Sequence, residues 1–160
     1  RLEDHMKPDI GIGDKDRKAV AEALSQALAD TYGLYQKTHH YHWNVTGPRF
    51  AQLHTLFETQ YNELWAAVDL IAERIRAVGA LVPTHTDLAG LAKIKGDNDA
   101  ALGDDQMLAN LAQGNEALVK SCRAPLKAAA DAGDDASEDL MVQRIAASEK
   151  AAWMLRSHLG

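Results

Sequence analysis

One cysteine in 160 residues excludes an internal disulfide, and Cys122 reads as a small buried hydrophobe in a reducing compartment. Aromatic residues are scarce at 6%, too few for a platform that stacks single-stranded bases. No run approaches the roughly 20 uninterrupted apolar residues that a membrane span needs, and no basic-then-apolar leader opens the chain. It begins at Arg1 and not at Met, so residues upstream are expected, or else His5-Met6 is an expression scar and the native start is Met6. Positive charge is in deficit. Seventeen Lys and Arg against 23 Asp and Glu leave a net charge of −6, so the protein as a whole should repel phosphate backbones. Period-two alternation is missing too, which removes strands.

What is present suits one all-α domain. Hydrophobic residues make up 46% and charged residues 25%, enough for a sizeable core under a solvated surface. Residues 1–14 hold Pro8, Gly11 and Gly13 without periodicity and read as an irregular arm, leaving 15–160 as the domain. Val20, Leu24, Leu28, Leu34 and Tyr35 recur at helical spacing from Asp14, an N-cap candidate, to about Asn44. Gly33 costs that helix about 1 kcal/mol. Thr46-Gly47-Pro48 breaks it. A second helix follows from about Pro48 to Val78 and ends at Gly79. Residues 80–103 form a long connection with a short helix over 86–91. A third helix spans about 104–132, where Pro125 predicts a kink or break, and a fourth about 135–158. Four long helices with a crossover-length second connection imply a four-helix bundle.

The seven histidines carry the chemical signal. His39, His40 and His42 close the first helix; His54 and Glu58, then Asp69 and Glu73, lie on the second. Positions 54, 58, 69 and 73 fall at roughly 0°, 40°, 60° and 100° around the axis, on one side of the helix. Imidazole with carboxylate suits iron, zinc or manganese. One ion cannot use all four, because Glu58 and Asp69 are about 16 Å apart along the axis and metal–ligand bonds are about 2 Å. An antiparallel copy of the helix about a two-fold axis removes the difficulty. Pairing 58 with 69, or 54 with 73, puts that axis at one place, near positions 63 and 64. Two sites then form, each with His54 and Glu58 from one subunit and Asp69 and Glu73 from the other. On spacing alone other readings stay open. The acids would also fit a solvated face or pairs with Arg74 or Arg76, His54 an ordinary hydrogen-bonded histidine, and the His39–His42 run a cap at a helix C-terminus.

The stretch from Lys37 to Gly79, with HWN, then GP-x-F-x-x-x-H, then D-x-x-A-E-R, resembles the core motif of the Dps proteins, the miniferritins of the ferritin-like superfamily. The ending EKAAWMLRSHLG is similar to that family's last helix, and the likeness covers roughly residues 17–160. The resemblance implies four-helix subunits assembled from two-fold dimers into a hollow dodecamer, with two-iron ferroxidase centres at the two-fold interfaces. Its ligands fall on His42, His54 and Glu58 of one subunit with Asp69 and Glu73 of the other. It implies Fe(II) oxidation, preferably by hydrogen peroxide, storage of Fe(III) mineral and protection of DNA. Glu58 departs from the Asp that many relatives carry, which puts the denticity there in doubt. His39 and Trp43 are auxiliary candidates. Trp43 and Trp65 are placed to intercept a stray oxidising equivalent, although both read first as core aromatics. Among Asp131, Asp134, Asp135, Glu138 and Asp139, the pair Asp135 and Asp139 is preferred for a three-fold pore.

DNA binding is a separate question. Residues 1–18 balance five basic against five acidic side chains, so this arm offers no net counterion release, and direct binding is expected to be weak or absent. A nucleoid-compacting shell is the alternative function, and a shell without ferroxidation a weaker third. The expected setting is the bacterial cytoplasm, with nucleoid association if DNA is bound.

Overall fold

The computed structural model describes residues 7–160, so the expected arm over 1–14 falls partly outside the described residues. These residues form five α-helices and no strand: α1 (Asp14–Asn44), α2 (Phe50–Ala77), α3 (His85–Leu91), α4 (Asp104–Ala132) and α5 (Asp135–Arg156). The chain is all-α. α1 packs along α2 on one side and α4 on another, and α5 runs along α4, whereas α2 touches α5 only sparsely. Leu24, Leu28, Phe57, Ile71, Leu111 and Leu118 are among the fully buried side chains that fill the space between them.

Local chemistry sets the boundaries. Gly13, not Asp14, is the N-cap of α1. Asp14 is instead the first helical residue, where its charge suits the helix dipole. It pairs with Lys7 at 2.6 Å and Arg17 at 2.7 Å, and these two partners hold its carboxyl below the usual carboxylate range. Gly47, at φ +105°, makes the turn into α2. Arg49 there donates to Asp104 and Asp105 at the start of α4 and to the His158 carbonyl, tying three parts of the chain together. Asp134 caps α5 by accepting from the Ser137 N–H, and its carboxylate also receives Arg74 from α2.

Pro125 does not break α4, which runs unbroken from Asp104 to Ala132. The ring removes one backbone hydrogen bond, yet Cys122, Pro125 and Ala129 are all buried, and packing keeps the helix continuous. Burial likewise pushes the Cys122 thiol up to about 11, so it is inert near neutral pH.

The long connection is fastened to α1 at two neighbouring positions. The buried Asp30 carboxylate accepts from the N–H groups of Lys93 (2.6 Å) and Ile94 (3.3 Å), and from the hydroxyl of Ser121 (2.5 Å). One turn on, Gly33 lets the Ile94 carbonyl press against the helix: a Cβ there would lie 2.0 Å from that oxygen. The glycine that looks costly in sequence is what admits the connection. Gly33→Ala should therefore lower unfolding stability by about 1–3 kcal/mol, as an overpacked site does. Gly90→Ala, with open space around it, should be near neutral or stabilising. Urea titrations of the two variants check this.

Candidate metal centre

The end of α1 and the start of α2 come together because the intervening turn is short. Their junction brings His42 and His54 into a stacked pair, with ring centroids 3.7 Å apart and planes 14° from parallel. Each ring is held by the backbone of the other residue. His42 Nδ1 donates to the His54 carbonyl at 2.7 Å, and His54 Nδ1 donates to the His42 carbonyl at the same distance. A carbonyl can only accept, so both Nδ1 atoms carry hydrogen. In the neutral rings the lone pairs are then on the two Nε2 atoms, the arrangement a metal-binding histidine requires. The His42 carbonyl is one of those a helix C-terminus leaves over. The ring that reaches this carbonyl belongs to His54 of α2 and not to the His39–His42 run, whose own His42 ring turns to α2 instead.

Phe50 stacks on the far side of His54, at 5.0 Å. His39 lies against Trp43 at 4.0 Å and Tyr61 at 4.4 Å, one step removed from the stacked pair. Burial, reinforced by the neighbouring His42, lowers the His39 pKa and favours its neutral form. Tyr61 also meets His42 edge-on at 5.1 Å. Sequence reasoning gave this tyrosine no role at the site, although it lies seven residues after His54 on the same face of α2.

Glu58, Asp69 and Glu73 are all exposed on the outer face of α2. Neither arginine expected as a partner for the last two takes that role: Arg74 turns to Asp134 and Ser137, and Arg76 donates to the Ala80 carbonyl. Among the described residues, no three His, Cys, Asp or Glu side chains of one chain gather as a metal-holding set. The structure brings His42 and His54 together and leaves Asp69 and Glu73 on the far half of the same helix face.

Trp43 and Trp65 are not core residues in this chain, being 62% and 55% exposed. Trp65 lies beside Asp69 on the exposed side of α2. Beside Trp65 and Asp69, a groove of about 780 Å³ runs between α2, α1 and the α3 region, reaching Tyr32, Leu70, Val82 and His85. Of the acids near the start of α5, Asp134 is consumed as a buried cap, while Asp135 and Asp139 remain exposed, Asp139 accepting from Gln143.

The ferritin-like domain family matches residues 21–160. The chain is 34% identical to DNA protection during starvation protein 2 of Bacillus anthracis, over 89% of this chain and 97% of that one. The chain belongs to the Dps branch of the ferritin-like family. The solved Dps from Staphylococcus aureus superposes with a TM-score of 0.84 at 35% identity, covering 93% of this Dps-family chain and 98% of its own. The Dps protein of Vibrio cholerae O1, described as a member of a broad superfamily of ferritin-like diiron-carboxylate proteins, gives 0.86 at 29% identity, covering 96% and 100%.

The carbonyl contacts predict a tautomer. In ¹⁵N spectra of the metal-free protein, taken where the imidazoles are neutral, His42 and His54 should both show hydrogen on Nδ1. Hydrogen on Nε2 in either ring would contradict the arrangement.

Proposed function

We propose that this protein oxidises Fe(II) and stores the Fe(III) product inside a shell of its own copies, with iron as the substrate and cargo. The observation that carries this reading is the reciprocal His42–His54 pair. It presents two oriented Nε2 lone pairs one helical turn from Glu58, on a face whose other half carries Asp69 and Glu73. Two copies of α2 packed antiparallel about a two-fold axis near residues 63 and 64 bring those halves together. Each of the two resulting centres takes His42, His54 and Glu58 from one subunit and Asp69 and Glu73 from the other. The exposed Phe50, Trp65 and Leu70 of α2 supply apolar surface for that contact. A dodecamer built from such dimers, as the family resemblance implies, encloses the mineral.

In this reading the carboxylates do the electrostatic work. Their negative charge favours Fe(III) over Fe(II), and the imidazoles fix where the metal sits. Hydrogen peroxide is the expected oxidant: two Fe(II) each give one electron, and with two protons the peroxide becomes two water molecules. Free Fe(II) and peroxide then do not meet to make hydroxyl radical, which is how DNA is protected. Glu58 reaches further than an aspartate and is placed to shift with the metal's charge. Asp135 and Asp139 are the proposed pore acids; Asp134 is not, because it caps α5. Relatives in bacteria and the lone cysteine support a bacterial cytoplasmic setting.

The decisive test adds Fe(II) anaerobically to the protein, injects peroxide and follows Fe(III) absorbance, alongside Asp69→Ala/Glu73→Ala. The parent should oxidise iron rapidly and the intact variant shell no faster than buffer. Equal rates, with the shell confirmed by sizing, would overturn the proposed centre.

The alternative, a shell that compacts DNA directly, gains nothing from the described arm. Lys7 and Arg17 both face Asp14, and Arg17 is buried. Gel-shift titrations at physiological salt should show weak binding or none by this 160-residue chain. Tight binding that survives the Asp69→Ala/Glu73→Ala change would favour compaction.

A further inference from the structure

The aromatic side chains are few, yet most of them touch. From the His42–His54 stack, Tyr61 lies 5.1 Å away, with His39 against both at 4.4 Å from Tyr61 and 6.4 Å from His42. Tyr61 is followed by Tyr35 at 6.0 Å, and Tyr35 by Tyr32 at 5.8 Å. The indoles flank this line, Trp43 against His39 at 4.0 Å and Trp65 against Tyr35 at 5.3 Å. Rings at these separations are in or near van der Waals contact. Three of the four tyrosines belong to the line. The fourth, Tyr41, is buried apart from it, its hydroxyl paired with Asp97 and Asn110.

Packing alone does not ask for hydroxyls along such a line, and phenylalanine would fill the same space. What the phenols add is a neutral side chain that can surrender one electron and one proton together. Burial and the adjacent Tyr32 and Tyr61 keep the Tyr35 phenol protonated, so its proton has to leave with the electron.

We propose that Tyr61, Tyr35 and Tyr32 form a relay that holds one oxidising equivalent away from the iron site, so that one peroxide can be fully reduced while iron arrives one ion at a time. This rests on the ferroxidase reading. Peroxide takes one electron from a single bound Fe(II) and the second from tyrosine. Fe(II), H2O2 and the phenol give Fe(III), hydroxide, water and a neutral phenoxyl radical, the phenolic proton ending in the water. The hole moves along the line as each phenol gives an electron to its oxidised neighbour and its proton to solvent, while the neighbour's oxygen regains a proton from solvent. A second Fe(II) then supplies an electron, and solvent a proton, to restore the phenol. The sum is the same two-iron reaction, without a hydroxyl radical released between its halves.

The relay can be tested without iron. Of the three tryptophans, Trp65 touches Tyr35 whereas Trp43 touches His39, so a Trp43→Phe/Trp153→Phe background confines indole photochemistry to the indole beside Tyr35. A laser flash on the metal-free assembled protein photoionises Trp65. Its radical band should decay into the phenoxyl band with a first-order rate independent of concentration. Tyr35→Phe, which keeps the ring and removes the hydroxyl, should slow that conversion by about tenfold or more, and Tyr41→Phe should leave it unchanged. Indolyl decay with no phenoxyl gain, or no effect of Tyr35→Phe, overturns the relay whatever the iron chemistry does. A second arm gives the protein less than one Fe(II) per site, then peroxide, and freezes it for electron paramagnetic resonance. A phenoxyl signal lost in Tyr61→Phe is expected. Fe(III) without that signal overturns the relay and leaves the ferroxidase standing, whereas no Fe(III) at all removes the ferroxidase and with it the relay's source of holes.

Discussion

Two lengths govern this molecule. A metal–ligand bond is about 2 Å and cannot be stretched, while a helix advances about 1.5 Å with every residue. In the proposed centre α2 therefore carries chemistry it cannot complete alone, with imidazole and carboxylate toward one end and two carboxylates toward the other. The remaining architecture accommodates that split. α1 backs the helix along its length, and Arg144 of α5 holds Glu63 on the opposite side from the ligands, one of its two contacts at 2.9 Å. The outward face is left clear. Exposed Phe50, Trp65 and Leu70 share α2 with the exposed acids, a mixture that suits the proposed contact with a second copy.

The imidazole pair is oriented without a second side chain. Metal-binding histidines are usually oriented by a carboxylate or a backbone carbonyl. Here each histidine is oriented by the other's peptide, so a reciprocal pair of hydrogen bonds sets both tautomers. Disturbing the junction between α1 and α2 would thus misalign both rings together.

The helices were legible because the apolar residues repeat at helical spacing and glycine or proline stands at the breaks. The common face of His54, Glu58, Asp69 and Glu73 was legible for the same reason. Details that depend on contacts between distant residues were not. Gly33 looked like a defect because nothing in its neighbourhood announces that the Ile94 carbonyl presses on it. Pro125 looked like a breaker because local rules omit the burial that keeps α4 continuous through it. Trp43 and Trp65 looked like core because large aromatics usually are, and only the placement of the other helices shows their side uncovered. His42 entered through the family motif, since periodicity says nothing about stacking across a turn. Tyr61 reads in the sequence as part of the apolar stripe of α2, and extending the face count from His54 would also have placed it beside the histidines.

The fastening of the long connection has a consequence for what can seat beside Trp65. Thr84 caps α3 at its start, and Asp30 grips the backbone just after its end, so His85 and Leu88 form a wall anchored on both sides. The opposite wall is α2 itself. The slot between them has its width set by those hydrogen bonds, as a lock's is set by its casing. A surface that rests beside Trp65 must fit a slot whose shape is fixed before it arrives.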